Sequence, residues 1–226
     1  FKKNENAKAY ITNQESNKLD VIDLNIKKKV GEIDLGGNPA GIFIDKQKMV
    51  IFVSNPGSNN ISKININDQF HEFIPGGKSP MSLYFSKSND SLLVTNWYDN
   101  EVSIIDTNLK KIIKTIPVGK SPAGIYVDEK QKLAFVANRD DDSVSIIDLI
   151  EFNVIKTLKV QKAPYGIFSD ESIDEIFVTN VQSSSISLLS KKSLEVLDHI
   201  LVGKWPYQVA YEKKKKILYV TNQRDN

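Results

Sequence analysis

One short strand-like motif recurs along the chain and restricts its fold more than any other feature. An apolar run ends in a small residue followed by asparagine, as in Leu-Tyr-Val-Thr-Asn at 218–222. The closing asparagines are separated by 42, 41, 42, 42 and 42 residues. A near-constant period of about 40 residues built from short strands predicts the blades of a β-propeller. The six copies close at Asn13, Asn55, Asn96, Asn138, Asn180 and Asn222.

Each period contains four strand-like segments. In the clearest copy they lie at 123–127, 133–137, 144–148 and 154–158, separated by turns rich in charged and small residues. Several of these runs are continuously apolar, which is typical of strands covered on both faces. We therefore predict an all-β fold with no helix, a β-propeller of four-stranded antiparallel blades.

The composition is typical of a single globular domain, and the chain has no cysteine. The chain is 40% hydrophobic and 26% charged, with a net charge of +2, which does not by itself demand a polyanionic partner. It has no cysteine, which excludes disulfides, thiolate metal sites and attached c-type haem. No apolar run approaches the about 18 residues that span a bilayer. We expect a lead-in over 1–8 and a single propeller domain over 9–226.

The linkers between units repeat as well, and each ends in proline. We expect their glycines to adopt positive φ at a sharp turn, and each proline to pre-set φ at the start of the next strand. The linkers lie at 37–39, 77–80, 119–122, 162–164 and 203–206.

These motifs resemble the YVTN-repeat β-propeller family. The resemblance covers about 9–222 and rests on Tyr-Val-Thr-Asn at 219–222, Ser-Val-Ser-Ile-Ile-Asp at 143–148 and Gly-Lys-Ser-Pro-Ala-Gly-Ile at 119–125. It implies four-stranded blades around a central channel and an extracytoplasmic protein of the periplasm or cell surface. Because the chain opens on phenylalanine, we expect the signal segment to lie upstream of it. Ser54 and Ala137 depart from the family's threonine.

Assigning strands to blades leaves the two ends incomplete. The first unit lacks its inner strand and the last lacks its outer two, so about five to six blades are represented. We expect the polypeptide to continue beyond Asn226 to a ring of about seven blades. The alternative is closure as five blades, with 206–211 completing the first blade and 217–222 left over. Four blades are complete, at 39–76, 80–118, 122–160 and 164–202.

The loops before each inner strand and after each second strand emerge on one rim, where propellers usually bind. Structural residues recur in every blade, so residues that break the repeat on this rim are the candidates for binding. Exposed aromatic residues and arginine are enriched at interface hot spots. The alternative is that the loop tryptophans pack on a neighbouring blade. The candidate binding residues are Trp97, Tyr98, Arg139, Asp140, Tyr165, Trp205 and Tyr207.

Four linkers carry lysine at the same position. A ring of ammonium groups around the channel mouth would focus an electric field on a small anionic ligand. The alternative is that lysine is simply tolerated in a solvated turn. These residues are Lys78, Lys120, Lys162 and Lys204.

We predict no metal site, no cofactor and no catalytic residue in this sequence. The carboxylates at 140–142 lack calcium-loop spacing, and His71 and His199 lie in outer strands without a second histidine at ligand spacing. The recurrent asparagines are expected to hydrogen-bond the following turn backbone.

The opposite rim is rich in lysine and would suit anionic lipid or nucleic acid. No aromatic residues for base stacking are interleaved with these lysines, so we disfavour nucleic acid. The alternative is a solvated loop face. The lysines lie at 27–29, 110–111, 191–192 and 213–216.

Our leading functional hypothesis is a non-catalytic, extracytoplasmic propeller that binds or scaffolds another protein or a cell-envelope component through the first rim. The alternative is a propeller enzyme or accessory subunit, either a lactonase-type hydrolase or a component of a haem- or quinone-linked oxidoreductase. Its catalytic groups would then lie in blades outside this sequence.

Overall fold

A computed structural model of the chain describes residues 7–225. These residues form 21 β-strands in six antiparallel sheets, which we number as blades 1 to 6 in chain order. Consecutive strands are neighbours in every sheet, so each blade is a meander joined by short turns. The all-β propeller predicted from the repeat is confirmed, with about five to six blades represented.

The strands are as follows. Blade 1 contains β1 (Lys8–Asn13), β2 (Lys18–Asp23) and β3 (Lys28–Asp34). Blade 2 contains β4 (Ile42–Asp45), β5 (Val50–Asn55), β6 (Asn60–Asn65) and β7 (His71–Pro75). Blade 3 contains β8 (Pro80–Ser86), β9 (Ser91–Asn96), β10 (Glu101–Asp106) and β11 (Lys111–Pro117). Blade 4 contains β12 (Pro122–Asp128), β13 (Leu133–Asn138), β14 (Ser143–Asp148) and β15 (Asn153–Lys159). Blade 5 contains β16 (Pro164–Phe168), β17 (Glu175–Asn180), β18 (Ser185–Ser190) and β19 (Glu195–Leu201). Blade 6 contains β20 (Pro206–Glu212) and β21 (Ile217–Asn222).

The first and last blades have the strands that the repeat predicted, three and two respectively. The alternative closure as five blades is wrong, because β20 pairs with β21 in its own sheet and not with β1. This local hairpin satisfies the backbone of β20 without any distant partner. A full ring of about seven blades stays a prediction. Of the predicted lead-in, residues 1–6 lie outside the described residues, and β1 already begins at Lys8.

The second strand of each complete blade is the centre of the core. Every residue of β9 and of β13 is buried, and β5 and β17 are buried except at their first residue. The apolar clusters lie between neighbouring blades, as where the Phe52 and Phe85 rings stack at 5.7 Å between blades 2 and 3. Blades covered on both faces explain why these strands are continuously apolar in sequence.

The threonine of the repeat ties each blade to the next. The Thr95 hydroxyl accepts a hydrogen bond from Ser82 N in its own blade at 3.0 Å and donates to the Ala123 carbonyl of the next blade at 2.7 Å. Equivalent bonds reach the next blade from Thr12, Ser54 and Thr179. Ala137 has no hydroxyl, so the junction between blades 4 and 5 lacks this bond.

The repeated asparagine bonds a neighbouring strand rather than the turn backbone, so that expectation was wrong. Asn138 Nδ2 donates to the hydroxyls of Ser143 and Ser145 on β14, at 3.0 and 2.8 Å. Asn180 makes the same pair of bonds to serines of β18. The amide is buried, and the serine hydroxyls one strand away are the acceptors closest to it.

The linker glycines do not adopt positive φ, which corrects the expectation from sequence. Within the linkers positive φ falls on the residue before the proline instead, and no glycine among the described residues has it. Glycine is needed because of space: a Cβ on Gly119 would lie 2.6 Å from Asn138 Cγ, and one on Gly36 would lie 2.7 Å from Asn55 Cβ. The linker residues with positive φ are Asn38, Ser79, Ser121, Ala163 and Trp205.

Most outermost strands contain a β-bulge at the same position. In β10–β11 the register shifts so that Ile113 has no partner, and its side chain is about half exposed. Bulges at the equivalent position interrupt β3, β15 and β19. A bulged edge disfavours pairing with the edge of another molecule.

Candidate functional site at the channel mouth

The linkers are fastened to the loops that follow each second strand, and the two together form the rim. The backbone N–H of Lys78 donates to an Asp99 carboxylate oxygen at 2.7 Å, and that of Lys120 donates to Asp141 at 2.7 Å. The backbone N–H of Lys162 and that of Lys204 make the same bond to Ser183 and Asp225. The linker position that lysine occupies therefore has a structural role through its backbone N–H. Any residue except proline can supply that N–H.

The side chains of the four linker lysines are solvent-exposed. Lys78 Nζ lies 3.7 Å from Asp99, the one ion pair at this position among the described residues. An exposed pair of this kind contributes little to stability. Whether the four ammonium groups attract an anionic ligand stays a prediction.

Three of the predicted aromatic residues meet at the channel mouth. The Tyr165 ring lies 5.1 Å from the Tyr207 ring in an edge-to-face arrangement and 6.4 Å from the Trp97 ring. These residues come from three places in sequence: a turn of blade 3 and the first strands of blades 5 and 6. We call Trp97, Tyr165 and Tyr207 the aromatic row.

Arg139 extends the aromatic row across a blade boundary. Its guanidinium carbon lies 5.7 Å from the centre of the Trp97 ring, close enough for a cation–π contact. Its Nη1 donates to Asp140 at 2.7 Å, and the Ser121 hydroxyl donates to the other oxygen of Asp140 at 2.6 Å. Arg139–Asp141 forms a single 3-10 turn, the one departure from the prediction of no helix among the described residues.

Trp205 forms a second stacked pair on the same rim. The guanidinium carbon of Arg224 lies 3.5 Å from the centre of its ring. Trp205 has φ of 58°, whereas the equivalent linker position elsewhere carries asparagine, serine or alanine. Positive φ recurs at this position in all five linkers, so the conformation belongs to the repeat and only the large side chain distinguishes Trp205.

Tyr98 lies apart from the other candidates. Its side chain is 73% exposed and contacts no other aromatic ring among the described residues. It projects from the turn next to Trp97, so it is placed to touch a partner on the rim but not a molecule in the channel.

A cavity of about 280 Å³ opens at the centre of the ring of inner strands. Residues of five successive blades and the first turn line it, and Tyr165 is the member of the aromatic row in its wall. Burial, with Tyr207 nearby, raises the pKa of the Tyr165 hydroxyl above its ordinary value. The phenol is therefore protonated at neutral pH and can both donate and accept a hydrogen bond.

Sequence reasoning missed several residues of this cavity. Gln208, Met81, Ala40 and Ala123 line it but were not among the predicted binding residues. The signal was present in the repeat, because the residue after the linker proline differs in size from blade to blade. These residues are Ala40, Met81, Ala123, Tyr165 and Tyr207.

No group of three or more ionisable side chains within residues 7–225 is arranged to hold a metal ion. Asp140 and Asp142 are engaged with linker groups, since the backbone N–H of Ala163 donates to Asp142 at 2.8 Å. His71 and His199 lie on outer strands β7 and β19, far apart in the fold. Over the same range no helix has the length and hydrophobicity required to cross a bilayer.

The lysine-rich rim opposite the channel mouth is less free than its sequence suggested. Lys191 is buried: its Nζ lies 3.3 Å from Asp128 and donates to the Asp170 carbonyl at 3.0 Å. The expectation that it belongs to a solvated loop face was therefore wrong. Lys110 pairs with Glu72, and Lys29 pairs with Asp20 and Glu32. Paired ammonium groups offer a polyanion weaker attraction than free ones.

Comparison with known proteins agrees with the architecture. A sequence profile of the YNCE-like beta-propeller family matches residues 44–133. A search of curated proteins finds no significant match to the sequence. Among solved structures, 1355 chains match, so the fold is widespread and does not by itself specify a function.

Two of these structures illustrate how far the likeness extends. Hydrazine synthase of Kuenenia stuttgartiensis has a TM-score of 0.68 at 14% identity, covering 96% of this chain and 90% of that one. A functionally unknown protein from Desulfotomaculum acetoxidans DSM 771 has a TM-score of 0.82 at 13% identity, covering 95% of this chain and 72% of that one. At such identities the likeness shows the fold alone. The repeated motif, the matched profile and the shared fold together support a β-propeller of the YVTN type.

Proposed function

We propose that this propeller is a non-catalytic, extracytoplasmic binding module that holds another protein or a cell-envelope component on the rim around its channel mouth. The observation that carries the proposal is the aromatic row with Arg139 stacked on it, joined on the same rim by Trp205 and Arg224. Large aromatic and arginine side chains dominate the energetics of protein interfaces. The resemblance of the repeat to an extracytoplasmic family supports the location.

The organisation of the rim supports a binding role in a second way. The contacts shared by all blades, from linker backbone to turn side chain, hold the loops in place and leave the unshared residues free to vary. Binding residues placed on a rigid scaffold lose little conformational freedom when a partner docks. The aromatic side chains have few rotatable bonds, which reduces that cost further.

Capture of a partner from the native envelope fraction tests the proposal. The bait is the full chain, compared with a double variant, Trp97→Ala with Trp205→Ala, and with Phe70→Ala as control. Phe70 is 63% exposed on the loop between β6 and β7, so its loss removes an exposed aromatic residue away from the rim.

We expect a stoichiometric partner that is retained by the wild type and by the control and lost from the double variant. With the purified partner, the double substitution should raise Kd by about tenfold or more, since a single hot-spot residue contributes about 2 kcal/mol or more. Equal capture by all three proteins would place the binding site elsewhere and overturn the proposal.

A further inference from the structure

We propose that the cavity at the channel mouth binds one uncharged, hydroxylated ring, a sugar of the hexose class. The inference deepens the proposed function, because such a ring can belong to a glycan of the cell envelope. It rests on three observations: the asymmetry of the cavity wall, the absence of charge from it, and the side-chain amides that it presents.

The cavity is one-sided although the repeat is regular. Tyr165 and Tyr207 occupy the position after the linker proline in blades 5 and 6, and alanine occupies it in blades 2 and 4. Tyr165 is the aromatic residue of the cavity wall, and the rings of Tyr207 and Trp97 pack against it, so its ring is held in place. In the rest of the wall the equivalent positions carry the small residues Ala40 and Ala123, with Met81 in the blade between them.

None of the described residues that line the cavity carries a charge. Tyr165, the one ionisable group among them, is protonated at neutral pH. A charged ligand entering here would lose hydration without gaining an opposite charge. The arginines of the rim do not supply one, because Arg139 is paired with Asp140 and Arg224 lies over Trp205.

Three uncharged polar side chains face the cavity: Gln14, Ser82 and Gln208. An amide offers both donors and an acceptor, and hydroxyl groups of a ligand can satisfy either. A purely apolar side chain would leave these groups without partners, which costs binding energy. A sugar ring instead presents C–H groups to an aromatic face and hydroxyls around its edge, which matches both kinds of wall.

The volume limits the ligand to about one ring. At about 280 Å³ the cavity lies at the lower end of ligand pockets, which begin near 300 Å³. A free monosaccharide and one residue of a glycan present the same chemistry. In the second case the remainder of the chain would lie across the rim, against residues such as Tyr98.

Calorimetric titration with D-glucose, D-galactose and N-acetyl-D-glucosamine, and with uncharged oligosaccharides of each, tests the proposal. Tyr165→Ala removes the aromatic wall, and Ala40→Tyr fills the open side. Both substitutions place in one blade a residue that another blade already carries at the equivalent position, so the fold accommodates them. Phe70→Ala is the control, because it removes an exposed aromatic side chain outside the cavity and away from the rim.

We expect saturable binding of at least one of these sugars, weakened by about tenfold or more in Tyr165→Ala and in Ala40→Tyr. Phe70→Ala should leave the affinity within about twofold. If oligosaccharides bind and monosaccharides do not, the ligand is one residue of a glycan chain, provided that Tyr165→Ala and Ala40→Tyr both abolish oligosaccharide binding. Glucuronic acid should bind more weakly than glucose.

Two outcomes overturn the inference. One is failure of every sugar to bind to a folded protein, and the other is binding that Ala40→Tyr leaves unchanged. Capture of a protein partner through Trp97 and Trp205 would still stand in either case, so failure here is distinguishable from failure of the proposed function.

Discussion

A single hydroxyl per blade joins neighbouring blades near the channel. At the blade 3–4 junction the Thr95 hydroxyl accepts a hydrogen bond from an N–H of its own blade and donates one to a carbonyl of the next blade. The residue is fully buried. Removing it leaves two buried backbone groups without this partner. At the blade 4–5 junction Ala137 leaves the corresponding groups, on Gly124 and Tyr165, without a hydroxyl.

We expect Thr95→Val to lower the free energy of unfolding by about 1–3 kcal/mol, because it keeps the shape and removes the hydrogen bonds. Ala137→Thr should raise it by about 1 kcal/mol, because it adds the missing hydroxyl at a position where the other blades accommodate one. Urea denaturation of both variants measures the changes. Destabilisation by Ala137→Thr would mean that this junction packs more tightly than the others.

His71 gives the fold a local sensitivity to acid. Its Nε2 is buried without a hydrogen-bond partner among the described residues, and its ring packs at 4.6 Å from that of Phe73. Burial lowers the pKa of His71 below its ordinary value of 6.5, although Asp34 acts in the opposite direction. The unfolded chain therefore binds this proton more readily than the folded chain does.

This contribution to stability is complete above the ordinary pKa of 6.5 and is lost as pH falls towards the lowered folded value. We expect His71→Gln to lose less stability than the wild type between about pH 7.5 and about pH 5.5. Urea unfolding at several pH values measures the difference, and His199→Gln controls for removal of a histidine. Parallel profiles for the wild type and His71→Gln would contradict the prediction.

At the scale of elements, the turn after β18 reaches across to blade 4. Lys191 is 4% exposed and pairs with Asp128 at the end of β12, while its Nζ lies 5.7 Å from the centre of the Tyr126 ring. A buried ion pair of this kind costs desolvation, and removing one partner leaves the other charge buried alone. The contact therefore specifies how blades 4 and 5 meet.

We expect Lys191→Ala to lower the free energy of unfolding by about 3–5 kcal/mol. A double variant, Lys191→Met with Asp128→Asn, should recover most of this loss, because neither charge is then buried unpaired. Lys192→Ala, at an exposed neighbour, should stay within about 0.5 kcal/mol of the wild type. A loss equally large in the double variant would assign the effect to packing rather than to charge.

At the scale of the whole molecule, the channel-mouth rim carries balanced charge. Its linkers and turns carry six basic and six acidic side chains, and several of the acidic ones accept hydrogen bonds from linker backbone. A balanced rim does not exert the long-range attraction of a single-sign surface. The basic residues are Lys78, Lys120, Lys162, Lys204, Arg139 and Arg224, and the acidic ones are Glu15, Asp99, Asp140, Asp141, Asp142 and Asp225.

Partner capture through this rim should therefore depend weakly on salt. We expect the affinity to change by less than about threefold between about 50 mM and about 300 mM salt, where phosphate-binding surfaces lose orders of magnitude. Binding isotherms over a salt series measure the slope. A steep dependence of affinity on salt concentration would indicate that the partner binds the lysines of the opposite rim, such as those at 213–216.

Much of the fold follows from local patterns that any reader of the sequence can see. The period from Asn55 to Asn96 and onwards predicts the blades, and the linker prolines mark where each inner strand begins. The four complete blades, the three-stranded first blade and the two-stranded last blade follow from the same count. These features are predictable because strand pairing within a meander joins neighbours in sequence.

The site was predictable only in part. Departures from the repeat identified Trp97, Arg139, Tyr165 and Tyr207 as candidates, and these four side chains do meet at the channel mouth. The same reasoning could not separate Tyr98, whose ring is exposed and contacts none of these four, because adjacent residues in a turn break the pattern equally. Reasoning from departures in the repeat also missed Ala40, which matters because its small side chain leaves room in the cavity at the channel mouth.

By itself, the sequence determined the all-β class, the blade boundaries and the rim on which the irregular residues gather, since each depends on hydrogen bonding and burial within one repeat. Only the tertiary structure decided that Lys191 is buried against Asp128, that positive φ falls beside proline rather than on glycine, and that the cavity has one aromatic side. The burial of Lys191 and the shape of the cavity depend on contacts between residues one repeat apart or more, and the linker conformation depends on contacts about half a repeat apart. Such contacts form when blades pack around a common axis, and no pattern within a single repeat encodes them.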